Sequence, residues 1–358
     1  MIGPRRLKNA LCSLLRPAHS VLYMEDDQAN WVLKWEKLSL RDVANSLGVT
    51  TRLGLPAGML RQCVFYSSKY FLMEPEPYFR FGRRIGTSYF HGYPGRGSNS
   101  ADVCFANLKQ YHERVSRIQV SHQYMRTVLL ETGIAPDKLH LIPIGVNPDL
   151  FSVQTPESKR AARDKYSIPQ NAVVVGSLQK DGKGWGDGME PKSIKGPDVF
   201  LDTVAILRQS VPELHVLLSG PSRGYVKQGL ENLNIPYTHV FLRDYPEINN
   251  LYNCLDLYIV ASREEGGPKA ILESMACGVP LATTRVGQAV DLVRHGENAF
   301  LADVEDAEAL AHYSLTALSD SEVRQRFLEH GLQTVRENTY EAQTPLWKKF
   351  FTGFVRLK

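Results

Sequence analysis

Short apolar runs alternating with helical patterns constrain this chain more than any other feature. In the second half, AVVVGSL (172–178), LHVLLSG (214–220), THVFL (238–242), LDLYIVAS (255–262) and VPLATT (279–284) are rich in Val, Ile and Leu. Segments with helical spacing separate them, such as GPDVFLDTVAILRQS (196–210). Runs this short and apolar fit strands buried on both faces, and strands alternating with helices build parallel sheets. The first half repeats the alternation with SVLYM (20–24), CVFYS (63–67), IGTSYF (85–90) and RIQVS (117–121), then HLIPIGV (140–146) after a helical stretch at 122–133. The fold class expected is α/β.

A chain of 358 residues exceeds what one ordinary core fills, so two domains are expected. Periodicity stops at GVNPDLFSVQTPESKR (145–160), where Asn147-Pro148 and Thr155-Pro156 signal turns. The reading is two doubly wound, Rossmann-like domains, residues 1–149 and 150–339. In the tail, 340–358, Trp347, Phe350, Phe351 and Phe354 share one helical face. A terminal helix that apolar has to dock on something.

Charge is uneven. Residues 1–150 hold 19 Lys/Arg and 12 Asp/Glu, a net +7 in a chain of net +4. A basic first half fits an acidic partner, such as phosphate or an anionic membrane, or simply a solvated face. No motif supports nucleic-acid binding. Leu7, Leu11, Leu14 and Leu15 share a helical face ringed by Arg5, Arg6, Lys8 and Arg16, which suits an amphipathic helix packed on the domain or lying on a membrane. No apolar run approaches the roughly 20 residues of a membrane span. The five cysteines are scattered and odd in number, without metal-ligand spacing, which points to reduced, buried thiols in a cytoplasmic protein. Glu25, Asp26 and Asp27 suit a helix N-terminus, and no metal site is expected.

The segment with the most chemistry is SREEGGPKAILESMACGVPLATT (262–284). It follows one strand and ends in the next. Pro268 suits the first position of a helix, and Gly278 suits its end. The turn would lie at the carboxyl end of a parallel sheet, where open α/β sheets bind ligands. Gly266 and Gly267 would let the backbone approach a ligand, and the helix N-terminus would favour an anion such as phosphate. Glu265 and Glu273 would accept hydrogen bonds from hydroxyl groups, so a ribose diol and a sugar diol both match.

With its E-x7-E spacing, EGGPKAILESMACGVPLATT resembles the signature of the retaining glycosyltransferases of family 4. Gly267 stands where that family has an aromatic residue. LHLIPIGVNPDLF, EINNLYNCLDLYIVAS and VGQAVDLVRHGENAFLADVEDAEALA are similar to its other segments, so the likeness runs from about residue 117 to 340. It implies the GT-B architecture: two Rossmann-like domains facing a central cleft, the first on the acceptor side, the second holding a nucleotide-sugar donor, and the tail helix packing back on the first. By the same resemblance Glu265 would bind the donor sugar's hydroxyls and Glu273 the ribose. Backbone N–H groups around Gly266, Gly267, Pro268 and Lys269 would meet the diphosphate or sugar.

The family neutralises the leaving diphosphate with an Arg shortly after a strand and a Lys before a Gly. Here Ser177, after Gly176, stands at the usual Arg, while Lys195-Gly196 matches the second pair. Lys195 is the expected diphosphate ligand, with Lys180 standing in for the Arg. Glycines 182, 184, 186 and 188 make either a phosphate-enclosing loop or a flexible insertion. Arg223 in SGPSRGY either reaches a phosphate or faces solvent. The base would pack near Phe241 and Leu242, and His91 would contact the donor's sugar or phosphate.

The resemblance implies retaining sugar transfer from a UDP- or GDP-sugar to an acceptor hydroxyl, with no other cofactor and no metal. The acceptor would be a saccharide or lipid-linked molecule in surface polysaccharide, lipopolysaccharide or glycolipid assembly. The place would be the cytoplasm, with the basic first domain touching the inner face of the membrane. Ser177 leaves a second reading open, a degenerate GT-B module that holds a nucleotide sugar or a partner without turnover.

Overall fold

The computed structural model describes residues 17–25, 32–55, 62–79, 84–95, 99–153 and 155–357. The amphipathic N-terminal segment, Cys12 and the pair Asp26–Asp27 lie outside them. The chain forms two compact units, one of Met1–Pro143 with Tyr340–Lys358, the other of Ile144–Thr339.

The first unit is built on a six-stranded sheet. Its strands are β1 (Val21–Met24), β2 (Thr50–Leu53), β3 (Cys63–Tyr66), β4 (Arg84–Ser88), β5 (Arg117–Val120) and β6 (Leu139–Leu141). They run parallel in the order β2-β1-β3-β4-β5-β6. The second unit repeats the plan with β7 (Val173–Ser177), β8 (Leu214–Ser219), β9 (Tyr237–Val240), β10 (Leu257–Val260), β11 (Leu281–Thr284) and β12 (Phe300–Ala302). Its order is β12-β11-β10-β7-β8-β9, again parallel. The expected α/β class with two doubly wound sheets is what the structure has.

Three local expectations change. Of the run at 140–146, only residues up to Leu141 belong to the strand; Ile142 N–H still donates to Val120 O at 2.9 Å, Pro143 has no N–H to continue the ladder, and Val146 bridges instead to Thr339. β2 and β12 are edge strands that the sequence reading lacks. The helix after Pro268 begins at Ala270, with Lys269 as its N-cap, and ends at Ala276.

The tail helix, Thr344–Phe351, docks within the first unit. Trp347, Phe350, Phe351 and Phe354 are all buried in one cluster with Leu22, Met24 and Phe65. The Phe65 ring meets Phe350 edge-on at 5.7 Å. Gly86 makes the room, since a Cβ there would lie 3.1 Å from Phe354. Burying each such ring is worth roughly 1.5–3 kcal/mol, enough in sum to hold a short helix. Cys63 donates to Phe354 O at 2.9 Å, and burial pushes its thiol up to about 12. The four described cysteines, Cys63, Cys104, Cys254 and Cys277, are free and buried.

His140 on β6 packs against Phe350, ring centroids 5.0 Å apart. Burial, and then Arg117, push its imidazole down to about 4. In the unfolded chain it would titrate near the usual 6.5. Above that pH the ring is neutral in both states. Below it only the unfolded chain takes up the proton at first, so stability falls as pH drops from about 6.5 toward about 4. The ring is half-buried, so the loss is less than the full shift implies. The melting temperature is expected to fall across that window in wild type and to fall less in His140→Gln. Equal falls in both proteins would assign the acid sensitivity to other groups.

Candidate functional site

The sequence-predicted residues of the second unit gather at the carboxyl edge of its sheet, where strand order turns between β7 and β10. Ligands of open parallel sheets bind in the crevice at such a point. The loop after β7 (178–196) and the loop after β10 (261–269) meet there.

Gly196 makes the meeting possible. It is in the left-handed region, φ 58°, and caps the helix Pro197–Ser210. A Cβ at this position would lie 1.9 Å from Ala261 O, so only glycine lets the first loop press on the end of β10. Ile194 O accepts from the N–H groups of Arg263 (2.9 Å) and Glu264 (3.0 Å). Arg263 in turn forks onto Asp198 at 2.8 and 2.6 Å and reaches Glu305 at 2.5 Å.

These contacts deliver the Lys195 ammonium to Glu265, Nζ to Oε1 2.5 Å. Ser262 Oγ donates to the same carboxylate oxygen at 2.9 Å, and Gln179 Nε2 donates to Lys195 O at 3.1 Å. The two charged side chains are 20% and 11% exposed, so the pair is mostly desolvated but reachable. Lys192 is a neighbour that sequence reasoning missed. Burial lowers its pKa, Lys195 and Lys180 lower it further, and Glu265 acts against them. Three lysines therefore share the field of one carboxylate, an excess that suits a multiply charged anion. Lys180 also lies 3.9 Å from the centroid of the Trp185 ring.

Glu273 is only 3% exposed on the helix Ala270–Ala276. Tyr252 OH donates to its Oε2 at 2.8 Å, and Tyr245 OH donates to Oε1. Burial, and then the Glu273 charge, hold the Tyr252 hydroxyl far above its usual pKa. Lys269 Nζ lies 5.8 Å over the Tyr245 ring. Neither tyrosine was anticipated, although Tyr252 sits in the segment that leads to the motif.

The glycines of the motif serve packing. A Cβ at Gly267 would meet Ile144 Cδ1 at 2.7 Å and Gln288 Oε1 at 2.8 Å. Gly287, φ 49°, lies against the carbonyls of Gly266 and Glu265. Gln288 is fully buried; its backbone N–H donates to Gly266 O at 3.2 Å, and its Oε1 accepts from Ile144 N at 2.9 Å. Gln288 thus clamps the Glu265 loop to residue 144. Pro268 is buried. Gly176 is similar: a Cβ there would lie 2.5 Å from Leu255, so its bareness admits Leu255 rather than a ligand.

Arg223 corrects both sequence alternatives. It is 1% exposed, with Nε 2.9 Å from Asp181 Oδ1. It donates to Ser177 O (2.6 Å), Ser219 O (2.8 Å) and Ser177 Oγ (3.1 Å). The guanidinium neither faces solvent nor stands open to a phosphate; it ties the ends of β7 and β8 together. Ser177 is buried beneath it. Phe241, just past β9, is 67% exposed, and Leu242 packs partly on the core. In the first unit, His91 follows β4 and is half-buried. The buried Lys69 donates to His91 O and lies 3.5 Å from His91 Nδ1. Among the described residues, no three His, Cys, Asp or Glu side chains are grouped as metal ligands, and no helix is long and apolar enough to cross a membrane.

Residues 190–334 match the family described as Glycosyl transferases group 1. The chain is 30% identical over 144 residues to the N-acetyl-alpha-D-glucosaminyl L-malate synthase of Bacillus anthracis, covering 40% of this chain and 37% of that protein. It is 31% identical over 214 residues to the D-inositol 3-phosphate glycosyltransferase of Thermobispora bispora, covering 55% and 46%. The chain thus spans less than half the length of these two relatives. Among solved structures, Anabaena Alr3699/HepE in complex with UDP-glucose superposes with TM-score 0.74 at 16% identity, over 93% of this chain and 99% of that one. WaaG, a glycosyltransferase involved in lipopolysaccharide biosynthesis, superposes with TM-score 0.67 at 14% identity, over 93% and 100%. The chain therefore has the GT-B fold, and its residues 190–334 match the glycosyl transferases group 1 domain.

Proposed function

We propose that this chain transfers a sugar from a nucleoside-diphosphate sugar to an acceptor hydroxyl, with retention at the anomeric carbon. The observation that carries the reading is the Lys195–Glu265 pair at the carboxyl edge of the second sheet, inside the matched domain. Lys195 would meet the diphosphate and stabilise the charge that grows as it leaves. Lys192 and Lys180 add to that field, and the reading needs no metal ion. Glu265 would accept hydrogen bonds from the donor sugar, and Glu273 from the ribose. The base would lie by Phe241 and Leu242, at the end of β9. One neighbour, Anabaena Alr3699/HepE, supports a nucleotide-sugar donor, since it was solved both with UDP-glucose and with UDP. The acceptor would be a saccharide or lipid-linked molecule in surface polysaccharide, lipopolysaccharide or glycolipid assembly, reached from the cytoplasmic face of the membrane.

The test is a panel of UDP-, GDP-, ADP- and dTDP-sugars, read by thermal stabilisation and by slow release of nucleoside diphosphate, with and without EDTA. One donor is expected to stabilise the protein and be hydrolysed, unaffected by EDTA, and Glu273→Ala should lose both effects. Binding without release, even with acceptor saccharides added, would favour the module that does not turn over. Absence of binding to every donor would sink the reading.

A further inference from the structure

A second site lies on the other side of β7. The loop 181–191 is tied to the start of the helix Gly224–Asn232. Gly182 pairs with Pro191, and Lys183 N–H donates to Glu190 O at 2.9 Å, closing the loop on itself. Gly224 N–H donates to Asp187 O at 2.7 Å and Tyr225 N–H to Gly188 O at 3.0 Å. Ser222 Oγ lies 3.1 Å from Gly184 O and 3.0 Å from Gly186 O, sharing its proton between the carbonyls on either side of Trp185. Gly188, φ 75°, sits so close that a Cβ would lie 2.2 Å from the Ser222 backbone. The glycines build a fixed hairpin rather than a tether.

Between this hairpin and the helix is an open cavity of about 440 Å³. Its walls include Asp187, Ser222, Lys227, Gln228, Glu231 and His239. His239 Nε2 lies 2.8 Å from Gly220 O, so that nitrogen carries the proton and Nδ1 is left as an acceptor. Burial lowers the ring's pKa, against the Gly220 hydrogen bond, which raises it. The side chains of Asp187, Lys227 and Gln228 make no hydrogen bond or ion pair with another described residue. Donors and acceptors are therefore mixed; Arg223 also lines the cavity, but Asp181 matches its charge, so two carboxylates, Asp187 and Glu231, face one unmatched ammonium, Lys227. That balance disfavours a phosphate and fits a polyhydroxylated neutral ligand, whose hydroxyls both donate and accept. Trp185, next to the lining Gly186, is 72% exposed and has the Lys180 ammonium over its ring. A broad aromatic ring held in place at low entropy cost suits the apolar face of a pyranose.

We propose that this cavity binds a neutral saccharide, separately from the Lys195–Glu265 centre, with Trp185 as its stacking ring. Its assignment to the acceptor, rather than to some other glycan, rests on the transferase reading above.

The test is saturation-transfer NMR with tetrasaccharides of glucose, mannose, galactose and N-acetylglucosamine, with UDP and GDP in excess to fill the donor site. At least one tetrasaccharide is expected to receive saturation with nucleotide present. The double variant Asp187→Ala/Gln228→Ala and the single variant Trp185→Ala should each cut that signal at least fivefold and leave nucleotide binding within twofold. The proposal is overturned if no tetrasaccharide is saturated, if nucleotide removes the signal, if inorganic phosphate displaces the sugar, or if the variants behave as wild type. Saccharide binding in a protein that releases no nucleoside diphosphate would defeat the transferase reading and leave this site standing.

Discussion

Lys195→Ala is expected to lower the rate of nucleoside diphosphate release about a hundredfold to a thousandfold, the range typical of losing one preorganised group that faces developing charge. The geometry explains why Lys195 should matter more than its neighbours. Its ammonium is fixed at 2.5 Å from Glu265, its loop is held to the end of β10 by Ile194, and Gly196 permits that close approach to Ala261. Lys180, in contrast, spends its charge over the Trp185 ring. Lys180→Ala should therefore cost no more than about tenfold, by the general weakness of partly screened charges. The loss in Lys195→Ala should fall on the chemical step more than on donor affinity, because the diphosphate gains charge as the glycosidic bond breaks. Single-turnover rates at saturating donor check this. A purely structural role would lower the melting temperature and leave the single-turnover rate of the folded fraction intact. Lys195→Arg should recover part of the rate, since it keeps the charge but changes its shape.

How far these features were legible in the sequence depends on how local their causes are. β7, β8 and β10 could be read directly, because each is an unbroken run of branched apolar residues that a doubly covered sheet demands. β2, TTRL, escaped because it is an edge strand with no buried residue, and β12, FLA, because three residues make no pattern. Glu265, Glu273 and Lys195 were each visible through a spacing. The Lys195–Glu265 contact was not, since it joins loops 70 residues apart. Tyr245, Tyr252 and Gln288 escaped for the same reason: each acts through a partner on another element. Arg223 misled because an Arg among Ser, Pro and Gly reads as surface. Only the fold shows that Asp181 and the carbonyls of Ser177 and Ser219 enclose it.

That enclosure makes Arg223 the position where a single change should cost the most stability. Arg223 and Asp181 are 0% and 2% exposed as side chains. Burial pushes the Asp181 carboxyl up, and the guanidinium pulls it back down. Arg223→Met would leave a carboxylate in the core without its counter-charge and two carbonyls without their donor. Breaking a buried pair from one side costs about 3–5 kcal/mol. In a unit of this size, each kcal/mol moves the midpoint by about 2–4 °C, so a fall near 10 °C is expected. The paired replacement Arg223→Met/Asp181→Leu should recover much of the loss, because it removes the stranded charge together with its partner. The pair also anchors the root of the hairpin 181–191, whose Lys183 is exposed. Brief trypsin treatment should therefore cut at Lys183 in Arg223→Met well before it does so in wild type. A single variant that melts with wild type and resists trypsin equally would mean that the pair is not what holds the hairpin. A double variant as unstable as the single one would shift the weight to the carbonyls of Ser177 and Ser219, which lose their donor in both proteins.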